Sequence, residues 1–253
     1  DRALAQSPCT QQLDERFGTH LMQMTRAAVQ AHDPVNTALR TEVSDVLMRH
    51  TRIFGEGTIT WRGEQHPFSF LGKSALDDDR AERHGAWQSA IDYVRSNEDE
   101  LQAIFDEARA LRIQMAANLG MDSYIHLRYL EMRRFDWDRG DAARVRAAIL
   151  EHVVPITRAM EERQARELGT ERLHPADSSI QSDAPPAPVV DIDGQLDAAM
   201  SAFDAMGSAF GDPFRTMVEE RLIDLPARAG KGTGAFCTVF PYERVPYIFC
   251  NSV

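Results

Sequence analysis

Long apolar runs are missing from this 253-residue sequence: no stretch approaches eighteen consecutive apolar positions, so it offers no candidate membrane-spanning helix. Positive charge is scarce as well. Against 39 acidic side chains stand 28 lysines and arginines, and a net charge of -11 gives no electrostatic reason to bind phosphate backbones or anionic lipids. Neither nucleic acid nor a membrane is expected as a partner. Cysteine is rare: Cys9, Cys237 and Cys250 are the only three, and no histidine lies near the last two. That excludes a zinc knuckle and a disulfide framework and fits a reducing, cytoplasmic setting. The opening DRALAQSPCTQQLDERFG has no charged-then-apolar signal design, and its first residue is not Met, so the chain is expected to begin inside a longer one.

Catalytic motifs are also lacking. A helical zinc site needs two histidines one turn apart with a carboxylate beside them, whereas no two of the eight histidines here are closer than twelve positions. The metal ligands in this chain are therefore none, and the histidines read as scattered surface or core residues. There is no GxSxG. Cys237 sits in an apolar, strand-like run and reads as an inert core thiol. The glycines of GKGTG have neither the spacing nor the following helix of a phosphate loop.

What is present is mostly helical pattern. Hydrophobic residues make up 43% and charged residues 26%, ordinary for a globular chain. Asp33 is a candidate N-cap with Pro34 behind it, and Val35, Leu39, Val43, Val46 and Leu47 form one face. Ile59, Trp61, His66, Phe68 and Phe70 alternate around Gly63-Glu64, which predicts a small hairpin near 58–70 with Pro67 on an edge. Leu101, Ile104, Phe105, Ala108, Leu111, Met115 and Leu119 step by three and four up to Gly120, a predicted left-handed C′ residue. A further long helix is predicted from a cap at Asp141 to Gly169, turning Val145, Ile149, His152, Val153, Ile156 and Met160 inward and kinked at Pro155. Residues 174–194 carry four prolines and no periodic face. Two shorter helices and a sheet-like tail follow.

Charge runs read as solvated faces. The carboxylates of DDDRAER and NEDE sit where helices begin and oppose the positive end of the helix dipole. The arginines of RYLEMRRFDWDRGDAARVR alternate with acids, as on a salt-bridged surface.

The tail is more informative. Gly234 and Ala235 project little side chain, so a strand beginning there can leave an open backbone edge on which an extended peptide pairs through main-chain hydrogen bonds. LIDLPARAGKGTGAFCT followed by VPYIFCN resembles the stretch just upstream of the zinc-binding HExxH helix in the oligoendopeptidase F branch of the thimet-oligopeptidase-like metallopeptidases. Ile223, Asp224, Arg228, Gly230, Lys231, Gly234, Ala235, Phe236, Cys237, Pro246, Tyr247, Ile248 and Asn251 carry that likeness. A weaker likeness runs upstream to about Phe68, through DDDRAERHGAW, LGMDSYIHLRYLEM and VVPITRAMEERQARELG.

The resemblance implies a mainly α fold: an antiparallel helical N-terminal region over 1–173 with its hairpin, a proline-rich connection over 174–194, and the first strands of a zincin-like catalytic domain over 195–253. It implies a zinc-dependent endopeptidase acting on short peptides, with Gly234, Ala235 and Phe236 in a substrate-aligning edge strand. It places the zinc ligands and the catalytic glutamate beyond Val253, so no catalytic residue is named in this chain, which by itself is expected to be inactive. The alternative is a non-catalytic helical peptide-binding or scaffolding protein derived from that family.

Overall fold

The computed structural model describes residues 2–180 and 191–252. Short helices α1 (Arg2–Ala5), α2 (Thr10–Phe17) and α3 (Thr19–Ala31) lead into the long α4 (Thr37–Glu56). The hairpin β1 (Thr58–Trp61) and β2 (Glu64–Pro67) follows, then α5 (Leu71–Ser74), α6 (Arg80–Ser96), α7 (Glu98–Asn118) and α8 (Tyr124–Glu131). Next come α9 (Arg139–Ala148), α10 (Val154–Glu167), α11 (Ile192–Ala205) and α12 (Ser208–Glu219). The tail supplies β3 (Ile223–Pro226), β4 (Phe236–Phe240) and β5 (Val245–Ser252). The fold is mainly α with two small sheets. The central part of the proline-rich stretch, 181–190, lies outside the described residues.

Two compact units form, each from two separate pieces of chain: residues 1–50 with 99–160, and 51–98 with 161–253. In the first unit, Ala31, Met115 and Leu127 make a buried cluster flanked by Leu39, Val43, Leu119, Met121, Tyr124 and Leu130. Asn36, fully buried, donates from Nδ2 to the Met115 carbonyl (2.9 Å) and accepts from Asn118 Nδ2 (2.9 Å). A buried amide with both ends satisfied fixes the entry to α4 against the end of α7. The cap at Asp33 forms as expected, accepting from the Val35 amide, but Pro34 opens a 3-10 turn, and α4 proper starts at Thr37. Gly120 takes φ +69° at the end of α7, the left-handed geometry expected there.

Several sequence expectations need correction. The cap of α9 is Asp138, whose side chain accepts from the Asp141 amide while Asp141 reaches back to the Asp138 amide, a reciprocal box. Val145, Ile149, Val153, Ile156 and Met160 do share a helical face, but it is exposed, and His152 is exposed too. Periodicity fixes which residues share a face and says nothing of what covers it. The disturbance at Pro155 takes the form of a π turn over Ile149–Val153. Proline has no N–H to offer the preceding turn, and a widened turn absorbs that loss without ending the helix.

In the second unit the hairpin turns at Arg62-Gly63, where both residues have positive φ (52° and 78°), the geometry of a type I′ turn. That is one residue earlier than the sequence suggests. The strand pairing ends at Pro67, and Phe68–Phe70 wind into a 3-10 turn. Ile59 packs fully buried on Ala86 and Ala90 of α6, with Trp61, Phe68, Phe70 and Leu71 around them. The two alanines let strand and helix approach closely.

The carboxylate run is not all solvated. Asp77, its side chain 1% exposed, accepts from Arg62 Nε (2.6 Å) and Nη2 (2.8 Å), Trp61 Nε1 (2.8 Å) and the Asp79 amide (3.0 Å). Arg62 more than any other partner holds this carboxyl far below the ordinary carboxylate range. One buried acid thereby ties the hairpin turn to the start of α6, which Asp79 caps.

Candidate functional site

The tail folds into a three-stranded sheet in the order β3-β5-β4, with β3 parallel and β4 antiparallel to the central β5. β4 is therefore an edge strand, and all five of its residues are exposed. Its register sets Phe236 opposite Phe249, Cys237 opposite Ile248, Thr238 opposite Tyr247, Val239 opposite Pro246 and Phe240 opposite Val245. Antiparallel residues alternate between pairs that exchange hydrogen bonds and pairs that do not. Pro246 has no N–H to exchange, and the Ile248 amide donates to Leu222 on the opposite flank (2.9 Å). Both facts assign Cys237 and Val239 to the non-bonded pairs. Their N–H and C=O groups consequently point away from β5, along the open edge.

The structure brings the sequence-selected residues to the start of this strand. Gly234 sits at φ +96°, a backbone geometry that side chains disfavour, and its carbonyl accepts from Asn251 Nδ2 (2.8 Å). The same amide donates to the Gly232 carbonyl (3.0 Å), so Asn251 pins the loop that delivers the chain into β4. Ala235 is exposed. Phe236 stacks on Phe249 with ring centroids 4.9 Å apart and planes at 10°. Cys237 is exposed, which corrects its reading as a core thiol: on an edge strand that the described residues leave uncovered, an apolar run is not buried.

Lys231, which the sequence marked as part of a glycine loop and of the family likeness without a structural role, organises the sheet. Its side chain is 2% exposed, and Nζ donates to the carbonyls of Asp224 (3.1 Å), Pro226 (2.9 Å) and Cys250 while lying 3.1 Å from the Asp224 carboxylate. The β3–β5 register shifts between Asp224 and Pro226, and the ammonium meets carbonyls on both strands around that shift. A buried cation so fully surrounded by acceptors is stable where a lone one would not be. Arg228 grips Asp224 with two nitrogens (2.7 and 2.9 Å), and hydrogen bonds from Arg228, then Lys231, bring the Asp224 carboxyl down to about 2.

A second constellation escaped the sequence reading. Asp177, with 0% side-chain exposure, accepts from Arg80, from Arg83 (2.9 Å) and from the His174 amide (3.2 Å), and lies 3.2 Å from His84 Nε2. Burial pushes this carboxyl up, but the contacts from Arg80, Arg83 and His84 outweigh it and hold it well below the carboxylate range. His84 and His174 stack at 4.1 Å between centroids, and the edge of Trp87 meets His174. Burial first, then the neighbouring His84, lower the His174 pKa. Sequence signals for this cluster were faint, because 97 residues separate Arg80 from Asp177; only the Pro175 turn with Asp177 three residues after His174 hinted at an ordered cap.

Neither constellation suits a metal. Among the described residues no group of three or more His, Cys, Asp or Glu side chains could hold one. The Asp177 carboxylate is taken up by two guanidiniums, whose charge would repel a divalent cation.

Neither a protein-family profile nor a curated protein matches the chain. Solved structures do. An X-ray structure assigned as oligoendopeptidase F superposes with a TM-score of 0.89 at 26% identity, covering 99% of this chain and 45% of that one. An oligoendopeptidase F assignment from Bacillus anthracis str. Ames gives 0.86 at 26% identity, over 99% and 46%. Pz peptidase A with an inhibitor gives 0.89 at 26% identity, over 99% and 45%. A peptidase assignment from Chlamydophila abortus, at 13% identity and a TM-score of 0.57, shares the fold alone. The chain thus has the fold of oligoendopeptidase F structures over almost all its length, consistent with an N-terminal portion of that family, and spans less than half the length of the structures it matches.

Proposed function

We propose that this chain is the substrate-aligning portion of a zinc-dependent oligoendopeptidase that hydrolyses short peptides, with the zinc motif outside these residues. The open edge of β4 carries this reading, supported by the likeness to peptidase structures. An extended peptide laid beside β4 finds the outward N–H and C=O of Cys237 and Val239, and alternation carried one step back would turn Ala235 the same way. Main-chain pairing of this kind reads extension rather than side chains, which suits short peptides of varied sequence. Gly234 and Phe236 then act one step behind: the glycine provides the turn into the strand, and the ring seals it against β5. Zinc, when bound by the complete protein, would polarise the scissile carbonyl and activate water; no step is assigned to it in this chain.

The test is cleavage of mixed short peptides by the full-length gene product, with and without a chelator. Chelator-sensitive cleavage, lost on metal removal and restored by zinc, is the expected result; a full-length protein inert with every peptide and metal would overturn the enzyme reading. The open edge of β4 is equally compatible with one alternative, a peptide-binding protein that does not cleave. Calorimetry with the same peptides separates the two: binding without turnover selects it.

A further inference from the structure

Arg80, His84, Arg172, Leu173, His174 and Pro175 line a cleft of about 310 Å³ that shares no residue with the β4 edge. Its chemistry is unbalanced. Beneath it lies one carboxylate, Asp177, already engaged by two guanidiniums, Arg80 and Arg83. Arg172 adds a third positive charge, and its guanidinium has no ion pair or hydrogen bond among the described residues. Arg80 spends Nε and Nη2 on Asp177 and Thr170, leaving Nη1 without a partner among the described residues.

His174 is set up in the same sense. Its Nδ1 accepts the Ala176 amide (3.2 Å), which puts the ring proton on Nε2, a donor with no protein partner among the described residues. Stacking on His84 and the edge of Trp87 keep the ring in place. Preorganised, unspent N–H donors and surplus positive charge around a concavity are what a phosphate or carboxylate group requires.

We infer that this cleft binds a small oxyanion, a phosphate or carboxylate group of a soluble ligand, through Arg172, Arg80 Nη1 and His174 Nε2. Leu173 and Pro175 give the same ligand an apolar wall. The buried Asp177 holds the donors in position and does not compete for the anion, because its own oxygens are saturated.

The experiment follows the His84 and His174 ring resonances of the protein at constant ionic strength while inorganic phosphate, and separately acetate, is added. Saturable shifts at both rings are expected, weakened at least about tenfold in Arg172→Gln, the loss of one charge-assisted contact. Arg172→Gln removes no side-chain hydrogen bond or ion pair among the described residues, and Arg144→Gln, an exposed arginine elsewhere, should bind as the unaltered protein does. Tighter phosphate assigns a phosphoryl ligand and tighter acetate a carboxylate. Shifts that never saturate, that chloride reproduces, or that survive Arg172→Gln unchanged would overturn the site.

Discussion

The ammonium of Lys231 sits 4.6 Å from the ring centroid of Phe249, which in turn stacks on Phe236 of the edge strand. Carbonyl acceptors, cation and two rings therefore form one column from β3 to β4. Lys231→Met keeps the length of the side chain but strands the Asp224, Pro226 and Cys250 carbonyls and leaves the Asp224 carboxylate with Arg228 alone. The loss should be about 3 kcal/mol, in the range for removing one partner of a buried charge pair, and visible as faster amide exchange across 223–226 and 245–252.

The alternation along β4 separates binding from folding. Val239→Pro deletes an N–H that β5 does not use, so the sheet should persist while affinity for extended peptides falls about tenfold. Thr238→Pro, one residue away, deletes an N–H committed to Tyr247 and should melt the β4–β5 pair. Circular dichroism and peptide calorimetry on both variants check this. Equal effects at the two positions would show that the bonded and open sides have been assigned wrongly.

Gly57, between α4 and the hairpin, has room for hydrogen only. A Cβ there would lie 2.8 Å from a Tyr93 ring carbon and 3.1 Å from Phe68. The Tyr93 ring cannot easily retreat, because its hydroxyl donates to the Ile53 carbonyl at 2.7 Å. Gly57→Ala should cost about 1–3 kcal/mol by overpacking, read as a lowered Tm.

Acid should weaken the second unit in an ordered way. His174 has a lowered folded pKa, so the unfolded chain takes up its proton first and stability begins to fall as pH drops below the ordinary 6.5. Asp77, Asp177 and Asp224 have lowered folded values too, and their stabilisation, full above the ordinary 3.8, is lost as pH falls below it toward their depressed folded values. Denaturant midpoints should decline first as pH drops below 6.5 and again below 3.8, and Asp177→Asn should flatten the second decline.

Local order was legible in the sequence wherever it rests on short-range chemistry. The cap at Asp33, the left-handed Gly120, the hairpin and the tail strands all follow from residues within a turn or two of one another. The edge position of β4 was foreseen from Gly234 and Ala235, although the outward backbone groups of Cys237 and Val239 emerge only from register, through Pro246. What stayed hidden depends on partners far along the chain. Nothing near Asp77 distinguishes it from Asp78 until Arg62 and Trp61 arrive from the hairpin, and Asp177 gains its meaning from a helix 94 residues earlier. The exposed face of Val145, Ile149, Val153, Ile156 and Met160 looked buried for a related reason: a helix's own pattern names its greasy side, and only its surroundings decide whether anything rests there.

Because each compact unit is assembled from two separated stretches of chain, with residues 51–98 lodged between the halves of the first and 99–160 between the halves of the second, neither is a transferable cassette. No single break in the gene separates the two units from each other. Recombination that exchanged one unit would have to respect three junctions, at 50/51, 98/99 and 160/161, and all three fall within helices, α4, the first turn of α7 and α10. A ribosome must therefore carry synthesis past residue 160 before the first unit has all its parts.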